Sequence, residues 1–261
     1  MRILIVTPSP PGSRTGNRIT ALRWARLLRQ AGHATQVATQ FDGQRCDLMM
    51  ALHARKSAVS VRRSSDAFPD RPLVVVLTGT DLYRDIHCSR PAATSLDLAS
   101  RLVVLQPAGL EMLSEPHQSK CRVIFQSALA VAKPPSLKRR FEIVVSGHLR
   151  SVKDPFRTAR AVRALPPSSR IQVHHVGRAL TDAMDKAARR EMQINARYRW
   201  LGEVPPWQSR RLIARARVFV LTSKMEGGAS VVAEAIVNRT PVIASCISGT
   251  RGMLGEGYPG F

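Results

Sequence analysis

Two glutamates near the carboxyl end of the chain, Glu226 and Glu234, enclose seven residues that begin Gly-Gly-Ala-Ser. An apolar run, residues 217–222, precedes them and a helical pattern follows, which predicts a strand, a loop and a helix start. The N–H groups of a first helical turn can hold a phosphate. Glu234 can accept both hydroxyls of a ribose, and Glu226 can reach sugar hydroxyls. The candidate residues for binding phosphate and sugar groups are Glu226, Gly227, Gly228, Ala229, Ser230 and Glu234.

A second candidate site is the basic loop of residues 147–155, which follows the apolar run 142–146. His148, Arg150 and Lys153 place cations or hydrogen-bond donors in this loop. A diphosphate leaving group needs such donors, because charge develops on it as its bond breaks, and one well-placed donor there contributes about 3 kcal/mol. A basic turn on the surface is the alternative interpretation. The candidate catalytic residues are Lys153, Arg150, His148 and Glu226.

The loop after the first apolar run, residues 8–18, combines glycines, two arginines and the start of a helical pattern. In an open parallel sheet, ligands bind beyond the carboxyl ends of the strands, and such a loop suits an anion. Its glycine spacing is not the G-x-G-x-x-G of a dinucleotide site. A long surface turn is an equally good interpretation. The candidate binding residues are Gly12, Arg14, Gly16, Asn17 and Arg18.

Two further strand ends carry polar residues. His53 follows the apolar run 47–52, and the sequence Thr-Gly-Thr-Asp follows the run 73–77. A histidine at a strand end can donate to a phosphate, although a single histidine is more often structural, and Thr-Gly-Thr-Asp is also typical of a helix cap. The candidate binding residues here are His53, Thr78, Gly79, Thr80 and Asp81.

Short apolar runs alternate with helical patterns along the whole chain. Several runs are apolar without alternation, as in parallel strands covered on both faces, and repeated strand–helix–strand units predict right-handed crossovers. One helical pattern, residues 18–31, repeats Leu22, Ala25 and Leu28 on one face before Gly32 ends it. The fold class is therefore α/β with two Rossmann-like halves. The predicted strands are residues 2–7, 34–39, 47–52, 73–77, 101–105, 122–125, 142–146, 171–176, 197–201, 217–222 and 241–244.

A proline-containing basic segment, residues 133–140, interrupts both periodicities. The two prolines stiffen it and its basic residues favour contact with water. It is the predicted linker between an N-terminal acceptor-binding domain, residues 1–132, and a C-terminal donor-binding domain, residues 141–261.

The charge of the chain is unusual: 40 Lys and Arg against 18 Asp and Glu give a formal net charge of +22. The basic residues are spread along the whole length, whereas an appended nucleic-acid arm would concentrate them in one block. Aromatic residues make up only 5% of the chain and do not interleave with the basic ones. This argues against nucleic acid as a partner and favours a folded, basic protein that binds anionic ligands.

The four cysteines lie far apart and form no C-x-x-C pair, which predicts buried reduced thiols rather than a zinc site or a disulfide scaffold. No metal ligands are predicted. The first apolar run is too short for a signal peptide, and no stretch reaches the roughly 18 apolar residues of a membrane helix. We therefore expect a cytoplasmic protein without stable membrane insertion.

These motifs resemble those of the GT-B retaining glycosyltransferases of family 4. Glu226 and Glu234 match the family's E-x7-E signature, residues 147–155 match G-R-L-x-x-x-K-D/G, and residues 199–205 match R-x-L-G-x-V-P. Residues 238–245 match the turn and strand that follow. The resemblance implies two Rossmann-like domains whose parallel sheets face each other across a cleft, a UDP-sugar donor held by the second domain, and no other cofactor. His148 departs from the pattern, since the family usually has Arg at that position.

The N-terminal half is similar to the selenosugar synthases of selenoneine biosynthesis, over residues 7–28, 51–57, 78–85 and 102–107. This resemblance implies transfer of a sugar, N-acetylglucosamine, from its UDP donor to selenophosphate, a small anionic acceptor. Family members continue beyond the strand at residues 241–244 with further elements, so the C-terminal domain is expected to be truncated.

Other functions remain open from the sequence. They are transfer to a hydroxyl acceptor by a family 4 enzyme, binding of a nucleotide sugar without turnover, nucleotide-sugar epimerisation on a similar fold, and nucleic-acid binding, which only the charge suggests.

Overall fold

The computed structural model describes residues 1–132, 134–135 and 139–261. The chain forms two compact units. The first comprises Met1–Gln126, Glu226–Ala229 and Arg251–Met253, and the second comprises Ser127–Met225, Ser230–Thr250 and Leu254–Phe261. The predicted linker, residues 133–140, lies partly outside the described residues, at positions 133 and 136–138.

The first unit contains a six-stranded sheet, ordered β2-β1-β3-β4-β5-β6, in which all the pairs are parallel. Its strands are β1 (Arg2–Val6), β2 (Ala34–Ala38), β3 (Leu48–Leu52), β4 (Leu73–Leu77), β5 (Arg101–Val104) and β6 (Cys121–Val123). Its helices are α1 (Gly16–Gln30), α2 (Ala58–Ala67), α3 (Ile86–Cys88), α4 (Arg90–Leu98) and α5 (Glu115–Ser119), with a π-helical turn at Asp81–Asp85 and a 3-10 turn at Pro107–Met112.

Apolar side chains cover both faces of this sheet. On one face, Leu4 and Val6 of β1 pack with Val61 of α2. On the other face, Ile3 and Ile5 pack with Trp24 of α1. The unbroken apolar runs therefore do indicate strands that are buried on both sides, as expected for a parallel sheet between two helical layers.

Helix α1 differs in one respect from the predicted pattern. Its buried residues include Ala21, Trp24 and Ala25, whereas Leu22 is 48% exposed. The helix that the spacing of Leu22, Ala25 and Leu28 predicts is present, but Ala21 and Trp24 rather than Leu22 pack in the core. Gly32 ends this segment with a φ of 84°, a conformation that glycine adopts readily.

The second unit contains a five-stranded parallel sheet, ordered β11-β10-β7-β8-β9. Its strands are β7 (Phe141–Ser146), β8 (Ile171–Val176), β9 (Tyr198–Trp200), β10 (Val218–Leu221) and β11 (Val242–Ala244). Its helices are α6 (Arg157–Arg163), α7 (Asp182–Ile194), α8 (Pro206–Arg215), α9 (Ser230–Val237) and α10 (Ser248–Leu254), and Ser151–Lys153 form a 3-10 turn. Part of α10 groups with the first unit.

Each sheet has a point at which the strand order reverses. In the first sheet, β1 lies between β2 and β3, and in the second, β7 lies between β8 and β10. Helices that leave neighbouring strands for opposite faces open a crevice at the strands' carboxyl ends, where ligands bind in α/β folds. The reversal therefore places the loops after β1 and β3, and those after β7 and β10, at the two candidate binding edges.

A buried ion cluster lies at the start of β7. Glu142 is 2% exposed and accepts hydrogen bonds from His174 Nδ1 (2.6 Å) and from Arg215 Nε (2.7 Å). Burial acts to raise the pKa of Glu142, but the bonds from His174 and Arg215 outweigh it and hold the pKa below its usual range. This cluster joins β7, β8 and α8 at the edge of the sheet opposite to the binding loops.

Two further expectations concern the burial of the cysteines and the presence of membrane-spanning helices. All four cysteines are free; Cys46 and Cys121 are buried, but Cys88 and Cys246 are exposed, so the prediction of buried thiols was wrong for those two. Cys88 ends the short helix α3 and Cys246 follows β11, both outside the apolar layers. Within the described parts of the chain, every helix is too short or too polar to cross a membrane.

Candidate active site

The loop after β7 is attached to the end of β8. The Gly147 N–H donates to the Val176 carbonyl (2.8 Å), and the Leu149 N–H donates to the Arg178 carbonyl (2.9 Å). Gly177 allows this close approach, since a Cβ there would lie 2.0 Å from the Gly147 oxygen. The loop that carries the predicted cations is thus built on two adjacent strands.

The three predicted basic residues have different environments. Lys153 is half-buried at the end of the 3-10 turn, whereas Arg150 is exposed. His148 is half-buried, and its Nδ1 lies 3.1 Å from the Arg178 N–H, which donates to it. The His148 ring is therefore oriented by the backbone of the next loop.

The loop after β10 holds the Lys153 turn in place. The single hydroxyl proton of Thr222 is shared between the carbonyls of Lys153 (3.1 Å) and Asp154 (2.9 Å). The Lys224 N–H donates to the Val152 carbonyl (2.8 Å). The sequence analysis missed Thr222, although its position directly after an apolar strand was a usable signal.

Asp154 is a second residue that the sequence analysis did not select. It adopts a φ of 40° and accepts hydrogen bonds from Arg157 Nε (2.8 Å) and Arg160 Nη2 (3.0 Å). Burial acts to raise the pKa of Asp154, but the two arginines outweigh it and lower the pKa. Asp154 thereby reverses the chain directly after Lys153 and fixes where this turn ends.

The two glutamates of the E-x7-E pattern are both largely buried. Glu226 and Glu234 are each 9% exposed. Glu234 lies on α9 in the second unit, and α9 begins at Ser230, close to the predicted helix start. Glu226 groups with the first unit, as do the three residues that follow it.

The two glycines after Glu226 lie against the chain itself. A Cβ at Gly227 would be 2.5 Å from the carbonyl oxygen of Thr78, and a Cβ at Gly228 would be 2.4 Å from the Cβ of Leu105. All these residues belong to the first unit. The glycines thus serve the packing of this loop on the ends of β4 and β5, a reason that the sequence pattern did not reveal.

Asp81 organises the loops after β3 and β4. Its side chain is fully buried and accepts hydrogen bonds from the backbone N–H groups of Ala54 (3.0 Å), Thr78 (3.0 Å) and Gly79 (2.8 Å). Three donors satisfy the buried carboxylate, as its charge requires. Asp81 therefore positions these loops, and its oxygen atoms are directed at the backbone.

His53 is held in the same cluster. It is 3% exposed, has a φ of 74°, and its Nε2 lies 3.1 Å from the hydroxyl of Thr80. Burial lowers the pKa of His53, although the carboxylates of Asp81 and Asp85 partly offset the effect. A non-glycine residue at positive φ is strained, and such strain is concentrated at functional sites.

The loop after β1 contains several unsatisfied polar atoms. Nε and Nη1 of Arg18 are buried without a hydrogen-bond partner among the described residues, and so are the hydroxyls of Ser13 and Thr7. Asn17 is half-buried, whereas Gly12, Arg14 and Gly16 are exposed. A buried donor without a partner costs free energy, and an anion bound at this loop would remove that cost.

The structure thus gathers the predicted residues in two sets. In the first unit, the loops after β1, β3 and β4 follow three adjacent strands of one sheet edge, and Glu226–Ala229 pack against them. In the second unit, the basic loop and α9 follow β7 and β10, which are also adjacent. Each of the two parallel α/β units therefore carries polar loops at a switch point, the position at which ligands bind in open α/β folds.

Comparison with known proteins shows the family to which this α/β chain belongs. The family model of glycosyl transferases group 1 matches residues 129–261, about half of the chain. The chain belongs to this family and is a glycosyltransferase. A comparison with curated proteins gives no match.

Solved structures confirm the GT-B fold. The Anabaena protein Alr3699/HepE, in complex with UDP and glucose, has a TM-score of 0.75 at 18% identity, with 100% of this chain and 85% of that chain covered. The sucrose-phosphate synthase of Thermosynechococcus elongatus has a TM-score of 0.76 at 16% identity, with 97% and 83% covered. The predicted α/β class with two parallel-sheet domains is therefore correct.

Proposed function

We propose that this glycosyltransferase transfers N-acetylglucosamine from its UDP donor to selenophosphate, forming a selenosugar in selenoneine biosynthesis. One observation supports an anionic acceptor. The Arg18 guanidinium has buried nitrogens without hydrogen-bond partners among the described residues. A small multiply charged anion would satisfy it.

The donor site is proposed in the second unit. The structural neighbour Alr3699/HepE has been solved with UDP-glucose, and the family's E-x7-E and basic motifs are present here. Glu234 would accept the ribose hydroxyls, and the first turn of α9, from Ser230, would hold a phosphate together with Ala229. Lys153 and Arg150 would bind the diphosphate.

The acceptor site is proposed at the sheet edge of the first unit. Arg18 would bind the anion, with Arg14, Asn17 and the backbone at Gly12 and Gly16 completing the loop. The cluster around His53 lies after the next strand of the same sheet, β3. The neighbouring residues with proposed roles in binding are Thr78, Gly79, Thr80 and Asp81, the last as a positioning residue, and Gly227 and Gly228 shape the loop that carries Glu226.

The proposed reaction exchanges one bond at the anomeric carbon. The selenium of selenophosphate supplies an electron pair and forms the C1–Se bond, while the C1–O bond to the diphosphate breaks and its electron pair leaves with UDP. The ionised selenium is already a good nucleophile and needs no general base. Water then cleaves the P–Se bond and releases phosphate. The contribution of the second unit is the positive charge of Lys153 and Arg150 on the leaving group, with His148 in the same loop.

The test is incubation of the protein with UDP-N-acetylglucosamine and selenophosphate, with thiophosphate and phosphate as parallel acceptors. We expect UDP release and a selenium-containing sugar by mass spectrometry, with a sulfur analogue from thiophosphate at a lower rate and no product from phosphate. UDP binding without product from any of these acceptors would contradict the proposed acceptor and favour a hydroxyl acceptor or a nucleotide-sugar-binding role.

A further inference from the structure

A buried histidine contacts the donor loop, which is the loop after β7 that carries His148, Arg150 and Lys153. His175, on β8, is 1% exposed, and its ring nitrogens have two different partners. Nε2 lies 3.2 Å from the Gly147 carbonyl oxygen, and Nδ1 lies 2.9 Å from the hydroxyl of Tyr198 on β9. All of these residues belong to the second unit.

The partners determine the direction of both hydrogen bonds. A carbonyl oxygen only accepts, so the His175 proton must be on Nε2, and Nδ1 must accept from the Tyr198 hydroxyl. Burial lowers the pKa of His175 to about 4 and raises the pKa of Tyr198. Both hydrogen bonds, from the Tyr198 hydroxyl to His175 and from neutral His175 to the Gly147 carbonyl, are therefore present at neutral pH. We call this pair of bonds the relay.

The relay fixes the orientation of one peptide group. In a trans peptide, the carbonyl of one residue and the N–H of the next point in opposite directions, and the chain contains no cis peptide bond among its described residues. Because the Gly147 carbonyl points towards His175 on β8, the N–H of His148 points to the opposite side of this peptide, the side of β10. The peptide lies directly after the carboxyl end of β7, where the order of the strands reverses.

Gly177 restricts the same peptide from another side. A Cβ at Gly177 would lie 2.0 Å from the Gly147 oxygen and 2.8 Å from the His148 nitrogen. The peptide between Gly147 and His148 is thus packed against β8 and hydrogen-bonded through its carbonyl, which leaves it little freedom to rotate.

We propose that His175 is a positioning residue that, through the Gly147 carbonyl, aims the His148 backbone N–H at the diphosphate of the nucleotide donor. This inference rests on the proposed binding of a UDP-sugar by the second unit. A side chain such as leucine could fill the same buried volume, but it could not hold the carbonyl. Backbone N–H groups aimed in advance at an anion need no reorganisation when it binds.

The test compares two variants of the full chain. His175→Leu removes both hydrogen bonds, and His175→Gln is the matched control, because its amide can donate to Gly147 and accept from Tyr198. We expect the Kd for UDP to rise about tenfold in His175→Leu and to stay within about threefold of the wild type in His175→Gln. In the transfer assay, the KM for the UDP-sugar should rise more than kcat falls. Thermal unfolding of each variant checks that it is folded.

A second measurement does not depend on any variant folding. In the wild-type protein, titration with UDP should shift the NMR signal of the His148 amide proton, as expected for a donor to an anion. An unshifted His148 signal in a protein that binds UDP, or equal UDP affinity in His175→Leu and the wild type, would overturn the role of His175 alone. Absence of UDP binding by the wild type would instead contradict the proposed function.

Discussion

The backbone N–H of Lys224 lies 2.8 Å from the carbonyl oxygen of Val152 and donates to it. This bond joins the loop after β10 to the loop after β7, two segments about 70 positions apart in the sequence. The Thr222 hydroxyl adds a hydrogen bond that is shared between two carbonyls of the same turn. The Lys153 turn is therefore fixed by the tertiary structure, which makes its lysine a well-defined target for substitution.

Substitution of Lys153 tests its proposed role at the leaving group. Lys153→Ala should lower kcat by about 100-fold or more, because removal of one donor to developing charge has an effect of this size. The measurement is steady-state UDP release with UDP-N-acetylglucosamine and selenophosphate. Lys186→Ala, at an exposed position on α7, is the control and should keep the wild-type rate. A Lys153→Ala rate near that of the control would exclude this role.

Substitution of Arg18 tests the anion-binding loop. Arg18→Gln should raise the KM for the anionic acceptor by about tenfold to 100-fold, since hydrogen bonds to charged groups contribute about 1.5–3 kcal/mol. The same change removes buried donors without partners among the described residues, so the melting temperature should not fall. Arg26→Gln, exposed on the same helix, should change neither value. An unchanged acceptor KM in Arg18→Gln would contradict the site.

The buried cluster around Glu142 predicts a pH-dependent stability. Glu142→Gln should lower the free energy of unfolding at pH 7 by about 3 kcal/mol, because it leaves Arg215 without its buried carboxylate. The folded-state pKa of Glu142 is lowered; its contribution is therefore present above the unfolded-state pKa and is lost as the pH falls through the folded-state value. Urea unfolding at pH 7 and at about pH 3.5 should show the difference from the wild type becoming smaller.

An exposed ion pair provides the control for Glu142. Asp185 lies 2.6 Å from Arg189 Nε on the surface of α7. Asp185→Asn should cost only about 0.3–0.5 kcal/mol at pH 7, as is usual for an exposed pair within a helix. Equal losses in Glu142→Gln and Asp185→Asn would show that burial does not strengthen the Glu142 cluster.

His175 predicts a second pH dependence of stability. Here the buried group is neutral in the folded protein, whereas Glu142 is ionised. The unfolded chain binds a proton at this histidine near pH 6.5, whereas the folded protein does so only near the lowered pKa of about 4. Unfolding therefore takes up a proton between these values, and stability falls as the pH is lowered, by up to about 1.4 kcal/mol per pH unit. His175→Gln should show a flatter pH dependence of urea unfolding between pH 4.5 and 6.5. His87→Gln, at an exposed position, should keep the wild-type slope.

The donor loop lies so close to β8 that a larger side chain at Gly177 should lower the stability of the protein. Gly177→Ala places a Cβ 2.0 Å from the Gly147 oxygen, at a φ of 144° that L side chains rarely adopt. Overpacking and backbone strain together should cost about 3 kcal/mol, measured by urea unfolding. Gly257→Ala is the control, since nothing lies within 4 Å of a Cβ there, and it should be nearly neutral. A neutral Gly177→Ala would mean that the loop can move away from β8 at little cost.

Several features of the fold could be predicted from local sequence patterns. All eleven predicted strands are present, with ends that differ by at most two residues, because apolar runs bounded by turn residues report burial directly. The helical spacing in α1 was predicted correctly, but it did not show that Leu22 is 48% exposed. Periodicity shows which residues can share a stripe, but the neighbouring strands select the stripe that is buried.

The residues that support the site were harder to predict. Asp81 was selected as a candidate binding residue, but the sequence did not reveal that its carboxylate accepts hydrogen bonds from the N–H groups of Ala54, Thr78 and Gly79. His175 was not selected at all, because nothing in its own segment shows that its ring lies beneath Gly147, 28 positions earlier. Such partners are brought together only when the strands take their order in the sheet.

The sequence by itself determined the α/β class, the strands and the loops that carry Lys153, Arg18 and the two glutamates, since these follow from patterns within short segments. The tertiary structure alone decided which polar atoms have partners: the buried nitrogens of Arg18 have none among the described residues, whereas His175 has two. The physical reason is that apolar periodicity is a local property of the chain. A hydrogen bond, in contrast, depends on the distance and direction between atoms that parallel strand pairing brings together from distant positions.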